Sequence, residues 1–144
     1  MKNSQLVPSG GGTSYDYSQD HCFVKVASRD TDGQLAMVED RLKPGFRLGR
    51  HYHKQMTEVF YVLEGEIEFI FDDQTMVIKS GDTLTIPPNV WHEASCKGGG
   101  RMLTVFQNGR FDEYLERLNS MTEEQFQDAQ LMRSLAEEFD IYES

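Results

Sequence analysis

Apolar residues in the middle of this chain recur at every second position in short runs, not at helical spacing. Glu66-Ile67-Glu68-Phe69-Ile70-Phe71 starts in strict alternation, and Asp72-Asp73 turns it into the next run. The pattern predicts strands at Cys22–Ser28, Leu35–Leu42, Arg50–His53, Thr57–Leu63, Glu66–Phe71, Gln74–Ile78, Thr83–Ile86, Trp91–Cys96 and Arg101–Gln107. Turn formers separate them with no helical period between, so the fold class is all-β, a sandwich or barrel. From residue 110 the spacing changes. Phe111, Tyr114, Leu115 and Leu118 fall at i, i+3, i+4 and i+7 on one helical face. Thr122-Glu123-Glu124-Gln125 reads as a capping box opening a second helix, and Leu131, Leu135 and Phe139 stripe a third. Ahead of the strands, Ser9-Gly10-Gly11-Gly12-Thr13-Ser14 has no periodicity. The expected organisation is a flexible lead-in over 1–20, a barrel over 21–109, and a helical extension over 110–144 packed on the barrel.

Strand parity says which faces need cover. If Glu58 points inward, so do Phe60 and Val62, while Val59, Tyr61 and Leu63 point out. A strand apolar on both faces needs cover on both. The helices offer cover for one outward patch and a second copy of the barrel for another, which predicts a homodimer. Phe69 and Phe71 share a face, and so do His92, Ala94 and Cys96. Phe60, Val62, Phe69, Phe71 and Cys96 are therefore the candidate pocket lining, unless they simply fill the barrel. An apolar, aromatic lining suits a small aromatic or enolisable organic substrate.

Charge narrows the partners. The net charge is −10, and three arginines against ten acids place −7 of it within residues 110–144. An acidic chain repels nucleic acid, so that partner is not expected. Arg41, Lys43, Arg47, Arg50 and Lys54 crowd one segment and read as solvated charge or as an attractor for an anionic substrate. The 144 residues make one domain, with no run of apolar residues long enough to span a bilayer and no signal-peptide core in Met1-Lys2-Asn3-Ser4-Gln5. The expectation is a cytoplasmic chain without membrane contact, in which Cys22 and Cys96 are free thiols.

Chemistry concentrates in His51-Tyr52-His53-Lys54-Gln55-Met56-Thr57-Glu58. His51 and His53 are two apart, so on a strand both imidazoles share a face. Glu58 follows after a tight turn, and His92 comes after the turn Pro87-Pro88-Asn89. Three imidazoles and a carboxylate suit one divalent transition metal, with Fe, Mn, Ni, Cu and Zn all open. Tyr52 and Trp91 neighbour ligands, but parity turns them away from the site, and His21 reads as a surface histidine.

These residues carry a family resemblance. Gly45, His51, His53, Glu58 and Gly65 meet every spacing of the first cupin motif. Gly81, Pro87 and His92 match the second, with Asn89 in place of its glycine and Cys96 in place of its asparagine. Asparagine tolerates positive φ, so the turn survives the exchange. The chain resembles a small single-domain bacterial cupin of the quercetin-dioxygenase-like kind. The resemblance implies a cupin-type double-stranded β-helix (jelly-roll barrel) with a C-terminal α-helical extension, and a metal held by His51, His53, Glu58 and His92. Glu58 is either ligand or catalytic base. The implied function is a metal-dependent dioxygenase-like enzyme. A non-redox metal-dependent lyase, isomerase or cyclase and a non-catalytic ligand-binding cupin are the alternatives.

Overall fold

The computed structural model describes residues 3–144; Met1 and Lys2, at the head of the expected lead-in, lie outside the described residues. Eleven strands form two antiparallel sheets among the described residues. In chain order they are β1 (Ser14–Asp16), β2 (Asp20–Val26), β3 (Leu35–Leu42), β4 (Phe46–Tyr52), β5 (Thr57–Glu64), β6 (Glu66–Phe71), β7 (Thr75–Lys79), β8 (Thr83–Ile86), β9 (His92–Cys96), β10 (Gly100–Gln107) and β11 (Tyr142–Glu143). One sheet runs β1-β2-β3-β10-β5-β8 and the other β11-β4-β9-β6-β7. Three helices, α1 (Phe111–Asn119), α2 (Glu123–Phe126) and α3 (Ala129–Glu138), stand between β10 and β11. The expected jelly-roll barrel with a C-terminal helical extension is the fold.

The larger sheet's inner face follows from its register. Glu58 pairs with Phe106, which pairs with Ala36. Phe60, Thr104 and Val38 form the next row, and Val62, Met102 and Asp40 the third. Directly paired residues share a face, so the alternation of Glu58, Phe60 and Val62 sets all three strands. Phe60, Val62, Ile67, Phe69, Ile86 and Met102 build the core between the sheets.

The helices take a different surface from the outward face of β5. They pack on residues of β2, β3 and β10 that form a second core cluster. Leu115 and Phe111 of α1 cover it, packing with Cys22, Ala36, Val38 and Phe106. The Phe106 and Phe111 rings stack with centroids 4.4 Å apart. Tyr114 continues the aromatic chain to Phe111 at 5.6 Å and to Phe139, past the end of α3, at 5.6 Å. Burying one such large side chain contributes about 1.5–3 kcal/mol. The first turn of α1 is tied down as well: Asp112 accepts from the Ser28 N–H at 3.0 Å and from its hydroxyl at 3.2 Å. The capping box on α2 forms as read, with Thr122 and Gln125 bonded reciprocally.

Two short strands answer to no hydrophobic period. β1 lies inside the expected lead-in, with Tyr15 paired to Cys22. β11 brings the end of the chain back to β4, pairing Tyr142 with Tyr52 and Glu143 with His51. Between β5 and β6, Gly65 has φ 86°, and a Cβ there would stand 2.5 Å from the Gly99 carbonyl oxygen.

Candidate metal centre

β4, the turn after it, β5 and β9 supply the four side chains. Phe46 and Leu48 of β4 pair with Cys96 and Ala94, whereas His51 pairs with His92. Three steps along β4 thus match two along β9, a β-bulge that inserts one residue. It shifts the inward positions from Phe46 and Leu48 to His51 and, just beyond the strand, His53. Asn89 reaches φ 67°, as expected for its turn, and its N–H donates to the His53 carbonyl at 2.6 Å.

All four side chains are buried: His51, His53, Glu58 and His92 are 6, 3, 5 and 1 % exposed. One donor atom from each lies within 4.8 Å of the others, so the cluster can hold a metal ion. Each imidazole is oriented by a backbone carbonyl. His51 Nδ1 donates to Gly49 O at 2.7 Å, His53 Nδ1 to Asp140 O at 2.7 Å, and His92 Nδ1 to Val90 O at 2.9 Å. A carbonyl accepts only, which fixes the Nδ1 proton and leaves Nε2 as the ligating nitrogen.

Electrostatics agree with the geometry. Burial pushes His51 down to about 4, so its ring is neutral at ordinary pH. Glu58 Oε1 is hydrogen-bonded with His53 Nε2 at 2.8 Å and with His92 Nε2 at 3.1 Å, the nitrogens that a metal would otherwise take. Burial raises the Glu58 carboxyl, but these two hydrogen bonds and the charge of the rings hold it below the usual carboxylate range. Burial likewise lowers His53, and the Glu58 hydrogen bond and charge outweigh it to raise the ring. Both nitrogens of His53 face oxygen acceptors, and a metal held by this cluster would take the place of the Nε2 proton. Four buried donors with matched orientation fit a divalent metal.

A cavity of about 390 Å³ opens from this cluster. Phe60 and Phe69 line it, joined by Met102, Phe106, Phe111 and Tyr114. Val62 and Cys96 are instead sealed in the core at 0 % exposure, and Phe71 packs half-buried against it. Cys96 donates to the Glu66 carbonyl at 3.4 Å, and burial raises its thiol.

The cavity also has a polar end that the sequence reading did not single out. Cys22 Sγ donates to Asp40 Oδ1 at 2.9 Å and faces Asp20 Oδ2 at 3.2 Å. Burial pushes the Asp40 carboxyl up to about 8, with the charge of Asp20 adding to it. The available signal was parity: Asp40 follows Ala36 and Val38 at every second position, which puts an acid on an inward face.

The neighbours set aside in the sequence behave as parity requires. Tyr52 packs on Trp91 at 4.5 Å and on Tyr142 at 5.3 Å, while Arg50 lies 3.9 Å over Trp91. His21 is partly exposed and stacks on Phe23 at 4.4 Å. Much of the basic segment is paired, Lys43 with Asp16 at 2.7 Å and Arg50 with Asp72 at 3.0 Å.

Comparison with known proteins agrees with this architecture. A family described as a cupin domain matches residues 38–106, which span β3 to β10 and all four clustered side chains. The chain belongs to the cupin superfamily. It is 32% identical over 96 residues to a quercetin 2,3-dioxygenase of Bacillus subtilis (strain 168), covering 66% of this cupin and 28% of that protein. The cupin spans less than half the length of the curated relatives it matches. An RmlC-like cupin from Shewanella frigidimarina superposes with a TM-score of 0.66 at 24% identity, over 77% of this chain and 96% of that one. The polyketide cyclase RemF from Streptomyces resistomycificus gives 0.65 at 19% identity, over 75% and 82%. At those identities the two structures speak for the fold. No helix among the described residues is long and apolar enough to cross a membrane.

Proposed function

We propose that this cupin is a metal-dependent, dioxygenase-like enzyme acting on a small aromatic or enolisable molecule. The observation that carries it is the convergence of three carbonyl-oriented imidazoles and Glu58 on one end of a mainly apolar cavity. The quercetin 2,3-dioxygenase among its relatives supports the reading. His51, His53 and His92 would hold the ion through Nε2 and Glu58 through its carboxylate. A bound divalent ion would supply Lewis acidity and, if redox-active, electrons for dioxygen chemistry.

The chain's own residues do the rest. Gly49, Asp140 and Val90 hold the rings in one orientation through their carbonyls. The aromatic wall of Phe60, Phe69 and Phe106 shields the reacting atoms from bulk water. Glu58, kept ionised, can take the proton of a phenol or enol that reaches it. The reading retains a cytoplasmic homodimer, supported by two buried free thiols and an outward face of β5 where Tyr61 is exposed; light scattering on the purified chain checks the dimer.

A second reading, a non-redox lyase, isomerase or cyclase, is favoured by Asp40, whose carboxyl keeps its proton near neutral pH and can donate it inside the same cavity. The test is metal analysis followed by an oxygen electrode with a panel of phenols and diketones. One metal per chain, lost in both His51→Ala and His92→Ala, with substrate-dependent oxygen uptake, is expected. Full metal occupancy in both variants would sink the site. Anaerobic turnover without oxygen uptake would move the assignment to the second reading.

A further inference from the structure

The C-terminal tail meets the turn after His53 through Asp140. α3 ends with the Ile141 N–H on the Ala136 carbonyl at 2.9 Å and the Asp140 N–H on the Glu137 carbonyl at 3.1 Å. Asp140 has φ 65°, the left-handed position after a helix end where glycine is the usual occupant. A side chain there costs conformational energy, so an aspartate calls for a compensating contact.

Four further hydrogen bonds tie it to the turn after β4. The Asp140 carbonyl accepts from His53 Nδ1 at 2.7 Å. Its carboxylate accepts from the backbone N–H groups of Lys54 at 2.8 Å, Gln55 at 2.9 Å and Met56 at 2.8 Å. One residue therefore binds four consecutive residues, 53 to 56, in the turn that joins His53 to Glu58. Hydrogen bonds to an ionised acceptor are short and strong, and three of them fix the turn's path. β11 follows at once, aligning Tyr142 and Glu143 with Tyr52 and His51. The tail thus braces both members of the His-x-His pair, His53 through Asp140 and His51 through the edge strand β11.

We propose that Asp140 is a positioning residue of the metal centre: its carboxylate sets the turn between His53 and Glu58, and its carbonyl sets the His53 ring, so docking of the tail and metal affinity are linked. This rests on the metal-binding reading above. Groups that orient a ligand from outside typically contribute 10–100-fold to metal affinity. The geometry also separates the two roles of the residue. Asp140→Gly keeps the carbonyl and suits the left-handed backbone but removes the carboxylate. Asp140→Asn keeps one acceptor oxygen and tolerates the same φ.

The test is calorimetric titration of the metal-free full chain with Co²⁺, read beside the visible spectrum of the Co²⁺ form and the thermal midpoint of the metal-free form. Asp140→Gly is expected to weaken Co²⁺ about 10–100-fold and to alter the visible bands, and Asp140→Asn to fall between it and wild type. A purely structural role would lower the metal-free midpoint and leave the spectrum and dissociation constant alone, which overturns the proposal. So does a wild-type constant in Asp140→Gly or, should that variant not fold, in Asp140→Asn. Wild-type protein that takes up no metal overturns the metal-binding reading itself.

Discussion

Asp40→Asn probes the polar end of the cavity through the pH dependence of stability. In the unfolded chain this carboxyl titrates near 3.8, and in the fold burial pushes it up to about 8. Between those values the folded state carries one more proton than the unfolded state, so stability falls as pH rises. The slope is at most about 1.4 kcal/mol per pH unit. Raising the pH from 5 to 7 therefore removes up to about 3 kcal/mol through Asp40, and above about 8 the decline ends. Asparagine keeps the shape and cannot titrate. His51, pushed down to about 4, acts in the opposite sense, with stability lost as pH falls below its ordinary value near 6.5. It is common to both proteins and cancels in their difference. Urea denaturation of chelator-treated wild type and variant at pH 5, 6 and 7 reads the effect as a variant advantage that grows with pH at constant m-value. Parallel pH profiles would refute the burial argument for Asp40.

The other expectations concern packing. Gly65→Ala combines a left-handed backbone with a Cβ 2.5 Å from a carbonyl oxygen, so it should cost at least about 1–2 kcal/mol. A calorimetric midpoint within a degree of wild type would count against the close approach. Deleting residues 110–144 uncovers Ala36, Val38 and Phe106, a loss of several kcal/mol. The truncated chain should aggregate or melt far earlier on gel filtration and circular dichroism, whereas equal stability would show that α1 is not part of the core.

Most of the barrel was legible because its strands obey a period of two. Leu35–Leu42, Glu66–Phe71 and Thr83–Ile86 have the boundaries their alternation gives, and the four clustered side chains fall at the positions that spacing singled out. The losses have physical reasons. The first half of β4 was hidden because its inward residues change phase across Gly49, so no single alternation spans the strand. β1 and β11 are too short to show a period and exist through their partners. Asp140 lies 87 residues from the imidazole it orients, and nothing local distinguishes it from the other acids of the tail. The helices were visible as amphipathic, but which face of the sheets they cover is decided only by tertiary structure. Val62 and Cys96 have inward parity, yet parity cannot tell a core position from a cavity wall.

The bulge between Leu48 and His51 makes the site a matter of counting. Delete one residue there and Leu48 and His51 become two apart, so a regular strand keeps both inward and His51 opposite His92; delete Tyr52 instead and His51 and His53 become neighbours on opposite faces. In the second case neither histidine would have mutated, yet one of the pair would be lost. Among descendants of this chain, a one-residue deletion should therefore be purged between positions 51 and 53 and tolerated between 48 and 51, where the bulge takes up the difference. An insertion–deletion scan reports that contrast directly, and a search for working relatives can use the spacing from His51 to His53 as a stricter filter than the identity of the residue between them.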